Sequence, residues 1–410
     1  MKSLLLIIAF YPLCLFSYSQ NTTAKASKWR AVIQRKDHND IIFNFEKQQQ
    51  DNRTVLYVLN AGERLRVDSV RFKGDSVFIK MPVFESSFNA TITPGKWSGV
   101  WIKGTAGAEQ VMPFTAEKNN VRFTLSEGPA KIDINGRWAV RFASDSTGET
   151  NSIAEFRQKG DKLEGTFLTP TGDYRFLEGV VTGNKLKLSG FDGAHAYLFT
   201  ADITDKNTIE NGQYFSGLKY SEEWSATKDA DAKVKTDEAA MYLRAGEEKL
   251  DFSFPDLNGH PVSINDERFK NKVVIVQLMG SWCPNCMDET AFLSDYYNKN
   301  KQRGVEIVAL AYEYSTNFER SQKSLKKFQQ RFNVQYPVLI TGVTVSDTFR
   351  TEKTLPQVTR IKVFPSSIII DKKGKVRKLD TGFFGPGTGQ HYEAYKQEFY
   401  KTIDTLLKEK

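Results

Sequence analysis

The sequence predicts a multidomain chain: an all-β N-terminal half made of two tandem antiparallel β units, followed by an α/β unit. Three observations carry this. Between about residues 29 and 228, short alternating runs such as Arg53-Thr54-Val55-Leu56-Tyr57-Val58 and Lys185-Leu186-Lys187-Leu188 are separated by glycine and asparagine turns, with almost no helical periodicity. Within that half, segments recur. Lys28-Trp29-Arg30-Ala31-Val32 answers to Arg137-Trp138-Ala139-Val140, Ala61-Gly62-Glu63-Arg64 to Thr171-Gly172-Asp173-Tyr174, and Val70-Arg71-Phe72-Lys73-Gly74 to Val180-Val181-Thr182-Gly183-Asn184. The offsets are 109, 110 and 109 residues, which implies a duplicated unit of about a hundred residues. Beyond residue 246 the pattern changes to buried strands alternating with helices, and one strand runs directly into Gly280-Ser281-Trp282-Cys283-Pro284-Asn285-Cys286.

Composition sets the limits. With 410 residues, 40% hydrophobic and 26% charged, the chain is globular in type and has room for two or three domains. The formal charge of +8 is spread over the chain, without the basic blocks interleaved with aromatics that nucleic-acid grooves use, so no nucleic-acid partner is expected.

The first residues read as a signal peptide, 1–19. Lys2 gives a positive start, residues 4–16 are mostly apolar, and Ser17-Tyr18-Ser19 offers small residues where a signal peptidase would cut, near Ser19 or Gln20. The apolar run is shorter than the ~20 residues of a spanning helix and is interrupted by Pro12, which argues against a retained anchor. Lipidation at Cys14 is disfavoured because Tyr11-Pro12-Leu13 lacks the small residue expected ahead of it. Export to a periplasm or cell envelope follows. Of the three cysteines, Cys14 would leave with the leader, so the mature chain keeps Cys283 and Cys286. An exported protein stapled by disulfides would carry more.

The β half divides into unit 1 at 29–128 and unit 2 at 129–228, each a β-sandwich or a β-barrel; a closed meander with its tryptophan plugging one end is one form. Its many aromatics, among them Phe84, Phe88, Trp97, Trp101, Phe191, Tyr197, Tyr214 and Phe215, read first as core and second as a ligand or partner surface. Residues 229–246 form a polar, alanine-rich linker in which Glu238-Ala239-Ala240-Met241-Tyr242-Leu243-Arg244 is expected to be a short helix.

The last unit spans 247–410. Its elements read as two short strands around Asn258-Gly259, a buried strand over 272–279, a helix beginning near Met287, and a strand over 305–311. A helix over about 318–332, a strand–turn–strand over 364–376 and a closing helix over about 392–407 complete it. Strands alternating with helices, with Cys-x-x-Cys after a strand, indicate a thioredoxin-like α/β fold. In that context Cys283 sits at a helix N-terminus, where free N–H groups and the helix dipole favour a thiolate. No metal is expected, since His38, His195, His260 and His391 are scattered singly, and no cofactor motif is found. The loop Gly382-Phe383-Phe384-Gly385-Pro386-Gly387-Thr388-Gly389 lacks the Lys-Ser/Thr ending of a phosphate loop and reads as a loop beside the active face.

Phe254-Pro255-Asp256-Leu257-Asn258-Gly259, Trp282-Cys283-Pro284-Asn285-Cys286 and Phe364-Pro365-Ser366-Ser367 together make residues 247–410 resemble the exported TlpA/ResA-like thiol-disulfide oxidoreductases, of the AhpC/TSA-redoxin type. The resemblance does not extend into the β half. It implies that Cys283 attacks a target disulfide and that Cys286 resolves the mixed disulfide, the two forming a redox-active disulfide. It further implies that Glu289 handles protons near the pair, that Trp282 flanks the thiolate, and that Pro365 is cis, presenting the backbone of Phe364 to an extended substrate. Gln277 departs from thioredoxins proper, which carry a buried aspartate there, and this shifts the proton role to Glu289. A solvated first-turn glutamate is the competing reading of that residue.

The implied partners are disulfide-containing exported proteins and a membrane thiol-disulfide electron donor. Two other functions stay open: a ligand- or partner-binding envelope protein with an accessory redox domain, and a peroxiredoxin-type peroxidase. Gly280 and Val276 stand where the latter needs a hydroxyl residue and a proline before its cysteine.

Overall fold

A computed structural model describes residues 26–144, 150–236 and 239–409 of the chain. The proposed leader and Cys14 lie outside the described residues. Among the described residues there are two nine-stranded antiparallel sheets, then a five-stranded mixed sheet with four α-helices.

The second sheet closes. Gly136–Phe142 pairs with Ser152–Lys159 on one side and Tyr220–Lys228 on the other, and Lys162–Thr169 pairs with both Ser152–Lys159 and Leu177–Thr182. Eight strands thus form an up-and-down barrel, and the two-residue strand Gly172–Asp173 folds back from its rim onto Lys162–Thr169. The inward-facing residues alternate along each strand, as a half-buried strand requires. They include Trp138, Phe156, Phe167, Leu188 and Phe199. Trp138 is fully buried and its indole N–H donates to the Ile134 carbonyl at 2.9 Å. The first sheet has the same strand order. Its two edges, Glu63–Val67 and Ser69–Lys73, are consecutive in the chain and meet at Asp68, around a core of Trp29, Phe43, Phe88, Trp97 and Trp101. Both units are thus antiparallel meanders around their own cores, the second closed into a barrel and the first a barrel left open between these two edges. Of the aromatics singled out, Phe88, Trp97, Trp101 and Phe191 pack inside the first barrel, whereas Phe84 packs against the α/β unit.

In the α/β unit the sheet order is Val338–Ile340, Val305–Ala311, Val273–Met279, Ser366–Ile370, Val376–Thr381. The first three are parallel and the last two antiparallel to their neighbours. Val273–Met279 is central and buried along its whole length. Its continuous apolar run reflects burial on both faces. The helices are α1 (Pro284–Asn300), α2 (Phe318–Arg331), α3 (Arg350–Thr354) and α4 (Gln390–Lys408). Helix α1 begins three residues earlier than periodicity indicates, because Pro284 at the first turn and the Cys283 sulfur as cap start it.

The segment expected as a short helix near 238–244 is extended where it is described. Leu243 bridges to Val358, the Arg244 N–H donates to the Gln357 carbonyl, and the Met241 N–H donates to the Thr381 hydroxyl. Backbone partners offered by the α/β unit outweigh the local helix propensity of the alanines.

Both barrels pack on the α/β unit. From the first, Glu85 pairs with Arg320 of α2 at 2.8 Å, and Lys327 of the same helix donates to the Phe84 carbonyl at 2.9 Å. From the second, Glu155 meets His391 of α4 at 3.1 Å, and Arg175 meets Asp288 of α1 at 2.7 Å.

Candidate active site

The site grows from the end of the strand Val273–Met279. Gly280 to Trp282 turn the chain, and Cys283 caps α1, its sulfur accepting from the Cys286 N–H at 3.1 Å. Cys283 and Cys286 are disulfide-bonded. Both cysteines are buried, Cys283 at 3% exposure and Cys286 at 0%. Once reduced, Cys283 has helix N–H groups directed at it, which favour the thiolate.

Trp282 is fixed on three sides. Its indole N–H donates to the Tyr312 carbonyl at 2.8 Å, it stacks on Tyr314, and its edge meets Phe364. The Phe364–Pro365 peptide is cis, and the Phe364 carbonyl oxygen lies 3.5 Å from the Cys283 sulfur. Trp282, Cys283, Phe364 and Pro365 thus share one face. Phe364 and Pro365 are buried there.

Glu289 lies one turn beyond Cys286 on α1 and is 1% exposed, so the reading of a solvated first-turn glutamate does not hold. Its carboxylate accepts from the Ser367 hydroxyl at 2.6 Å and the Gln277 amide at 2.8 Å. Burial pushes its pKa up to about 7, against the opposing pull of those two hydrogen bonds. A carboxyl with that value exchanges protons near neutrality. Gln277 is fully buried and supplies the donor to it.

Two further carboxyls, neither identified from the sequence, border the cysteines. Glu313 follows the strand Val305–Ala311 and accepts from the Ser281 N–H at 2.7 Å and its hydroxyl at 2.6 Å; burial pushes it up to about 7. An acidic residue just past a buried strand, level with the cysteine turn, is the signal that would have found it. Asp173 comes from the rim of the second barrel. Its Oδ2 accepts from the Asn285 amide at 3.0 Å and the Gly385 N–H at 2.7 Å. Burial is again the main reason it is pushed up to about 7, with Asp288 adding to it. No sequence signal ties a turn in a β repeat to a cysteine motif 110 residues away.

The glycine-rich loop after the last strand takes part in the same junction. A side chain at Gly387 would come within 2.6 Å of the Arg175 carbonyl oxygen, so glycine is what lets the loop and the barrel rim meet. A cleft of about 780 Å³ lies elsewhere, between the first barrel and α2, and none of the redox residues line it. Among the described residues no group of three or more His, Cys, Asp and Glu is arranged to hold a metal.

Comparison with known proteins adds to this geometry. The family model "Redoxin" matches residues 244–396. A thiol-disulfide oxidoreductase ResA of Bacillus thuringiensis is 30% identical over 134 residues, 33% of this chain and 68% of the relative. One from Bacillus cereus is 28% identical over 157 residues, 38% of this chain and 79% of the relative. Among solved structures, the thioredoxin domain of a thiol-disulfide oxidoreductase of Bacteroides vulgatus is similar, with 24% identity, a TM-score of 0.28, and coverage of 38% of this chain and 99% of that one.

Proposed function

The chain belongs to the ResA-type thiol-disulfide oxidoreductases through its C-terminal redoxin domain, and from that premise we propose that it is an exported reductant of disulfides in envelope proteins. The observation that carries the reading is the Cys283–Cys286 disulfide at the start of α1, with the Cys283 sulfur as helix cap. The apolar leader read in residues 1–19 supports export.

The reaction runs as follows. In the reduced protein the Cys283 thiolate attacks one sulfur of a target disulfide; that bond breaks, and one target thiolate leaves and takes up a proton. Cys286 then loses its proton to the Glu289 carboxylate and attacks the Cys283 sulfur, which forms the internal disulfide and releases the second target thiolate; that thiolate takes the proton back from Glu289, while the first was protonated from solvent. The target gains two electrons and two protons. Trp282 bounds the attacking sulfur on one side, and the backbone at Phe364, before Pro365, offers an extended segment a pairing edge. A thiol donor at the membrane must then return two electrons to the protein.

Trapping tests this. With Cys286→Ser, a mixed disulfide between Cys283 and disulfide-containing proteins should accumulate and be reversed by dithiothreitol, whereas Cys283→Ser should give none. Equal trapping by both variants would refute the assignment.

A further inference from the structure

The helix that carries the redox pair is held by a different domain. Gly172–Asp173 and the residues after it form the rim hairpin of the second barrel, yet their polar groups are spent on the cysteine helix. The Asn285 amide donates to both the carbonyl of Asp173, at 3.2 Å, and its carboxylate, at 3.0 Å. Arg175 holds Asp288 with two hydrogen bonds, Nε to Oδ2 at 2.7 Å and Nη2 to Oδ1 at 2.9 Å, while Nη2 also reaches Glu63 of the first barrel at 2.6 Å. Gly172, at φ +136°, lies so close that a Cβ there would be 2.6 Å from the Asn285 side-chain oxygen. Asp173, Arg175, Asn285 and Asp288 are all buried, so these contacts are made out of water.

Building on the reading of Cys283 and Cys286 as the working dithiol, we propose that this hairpin is part of the redox centre, with Asp173 as a positioning residue that acts through Asn285 to set the balance between disulfide and dithiol. Asn285 is one of only two residues between the sulfurs, and the other, Pro284, has no N–H to tie down. Opening the S–S bond lets the two sulfurs move apart from bonding distance, and the intervening residues must follow. A contact that holds Asn285 in the arrangement seen with the disulfide therefore has different free energy in the two states, which is what shifts an equilibrium. The contact is engaged with the disulfide formed and, on this proposal, stabilises that form more than the dithiol, so its loss makes the pair easier to reduce.

The measurement is the dithiol-to-disulfide ratio of the full mature chain, equilibrated at pH 7 with mixtures of reduced and oxidised glutathione. Two glutathione thiols supply the two electrons and leave as glutathione disulfide. Asp173→Ala should raise the dithiol-to-disulfide ratio by about threefold or more at a fixed glutathione mixture. Asp173→Asn, nearly isosteric and a safeguard should the alanine variant not fold, should shift it the same way by less. In an Asn285→Ala background the effect of Asp173→Ala should shrink by half or more, because residues coupled through one contact are not additive. Unchanged ratios in variants that still unfold cooperatively, or fully additive effects, would overturn the proposal. A wild-type chain whose pair does not exchange with glutathione at all would overturn the underlying reading instead, and shows itself before any variant is made.

Discussion

The Glu289 carboxylate and the Gln277 side chain meet in a 2.8 Å hydrogen bond, both residues buried. Gln277 can donate to the carboxylate without competing for its proton, and Glu289, pushed up to about 7, is left as the group that titrates. Glu289→Gln should therefore remove the inflection near pH 7 from the rate at which the mixed disulfide resolves. It should also slow that step by about a hundredfold at pH 7.5, the low end of general-base effects. Stopped-flow release of a reduced target between pH 5 and 9 reads this, and a profile identical to the wild type would remove Glu289 from the proton path.

Glu289, Glu313 and Asp173 share a second consequence. Each is pushed up to about 7 in the folded chain by burial, whereas the unfolded values lie near 4. A carboxyl whose folded pKa is raised binds more protons folded than unfolded between the two values, so stability falls as pH rises through that window. As far as these groups are concerned, stability should thus be highest at and below about pH 4, decline as pH rises towards 7 and level off above it. Glu289→Gln should flatten part of that slope, by an amount on the order of 3 kcal/mol at most. Denaturant unfolding at pH 5 and pH 8 checks it; a slope unchanged in the variant would mean that Glu289 is ionised in the folded state throughout.

How much of this was legible follows from the range of the interactions. The α/β elements and the cysteine turn lie in one domain, and period, flanking glycines and motif spacing reported them, whereas the hydrogen bonds of Glu289 to Gln277 and Ser367 came only with the structure. The repeat was visible because Trp29 and Trp138 occupy equivalent first strands, but barrel closure depends on the pairing of Ser152–Lys159 with Lys162–Thr169 and of the latter with Leu177–Thr182, which no local pattern encodes. The stretch around Met241 was misread as helix because its backbone is satisfied by Thr381 and Leu243 by Val358, partners more than a hundred residues away. Asp173 and Arg175 were invisible for the same reason: a turn in one domain gains its meaning from Asn285 and Asp288 in another.

Arg175 gives a stability prediction that tests this junction. It bridges Glu63 of the first barrel at 2.6 Å and Asp288 of α1 at 2.7 Å, with its own side chain only 6% exposed. Removing one member of such a buried cluster leaves charges without a partner out of water, a loss of about 3–5 kcal/mol. Arg175→Met should cost that much in denaturant unfolding of the full chain. The loss should depend little on salt, since buried pairs are poorly screened. A loss below about 1 kcal/mol would mean that the cluster is solvated in solution and that the barrels separate readily from the cysteine helix.

The direction of electron flow rests on which electrostatic effect on the Cys283 thiolate is larger. The helix N-terminus and the Cys286 N–H favour the thiolate, and with it the dithiol form, which raises the reduction potential. Opposing this are Glu289, Glu313 and Asp173, three carboxyls buried around the same turn; whenever ionised they repel a nearby anion. Above pH 7 all three tend to ionise, which weighs towards the disulfide, the direction that the proposed reductant needs. The pair should then have a potential at or below thioredoxin's, roughly −270 mV, the range of a dedicated reductant. Equilibration with dithiothreitol buffers at pH 7.5 measures it. A potential near about −120 mV, that of strong oxidants, would mean that the helix dipole dominates and that the protein makes disulfides instead of breaking them.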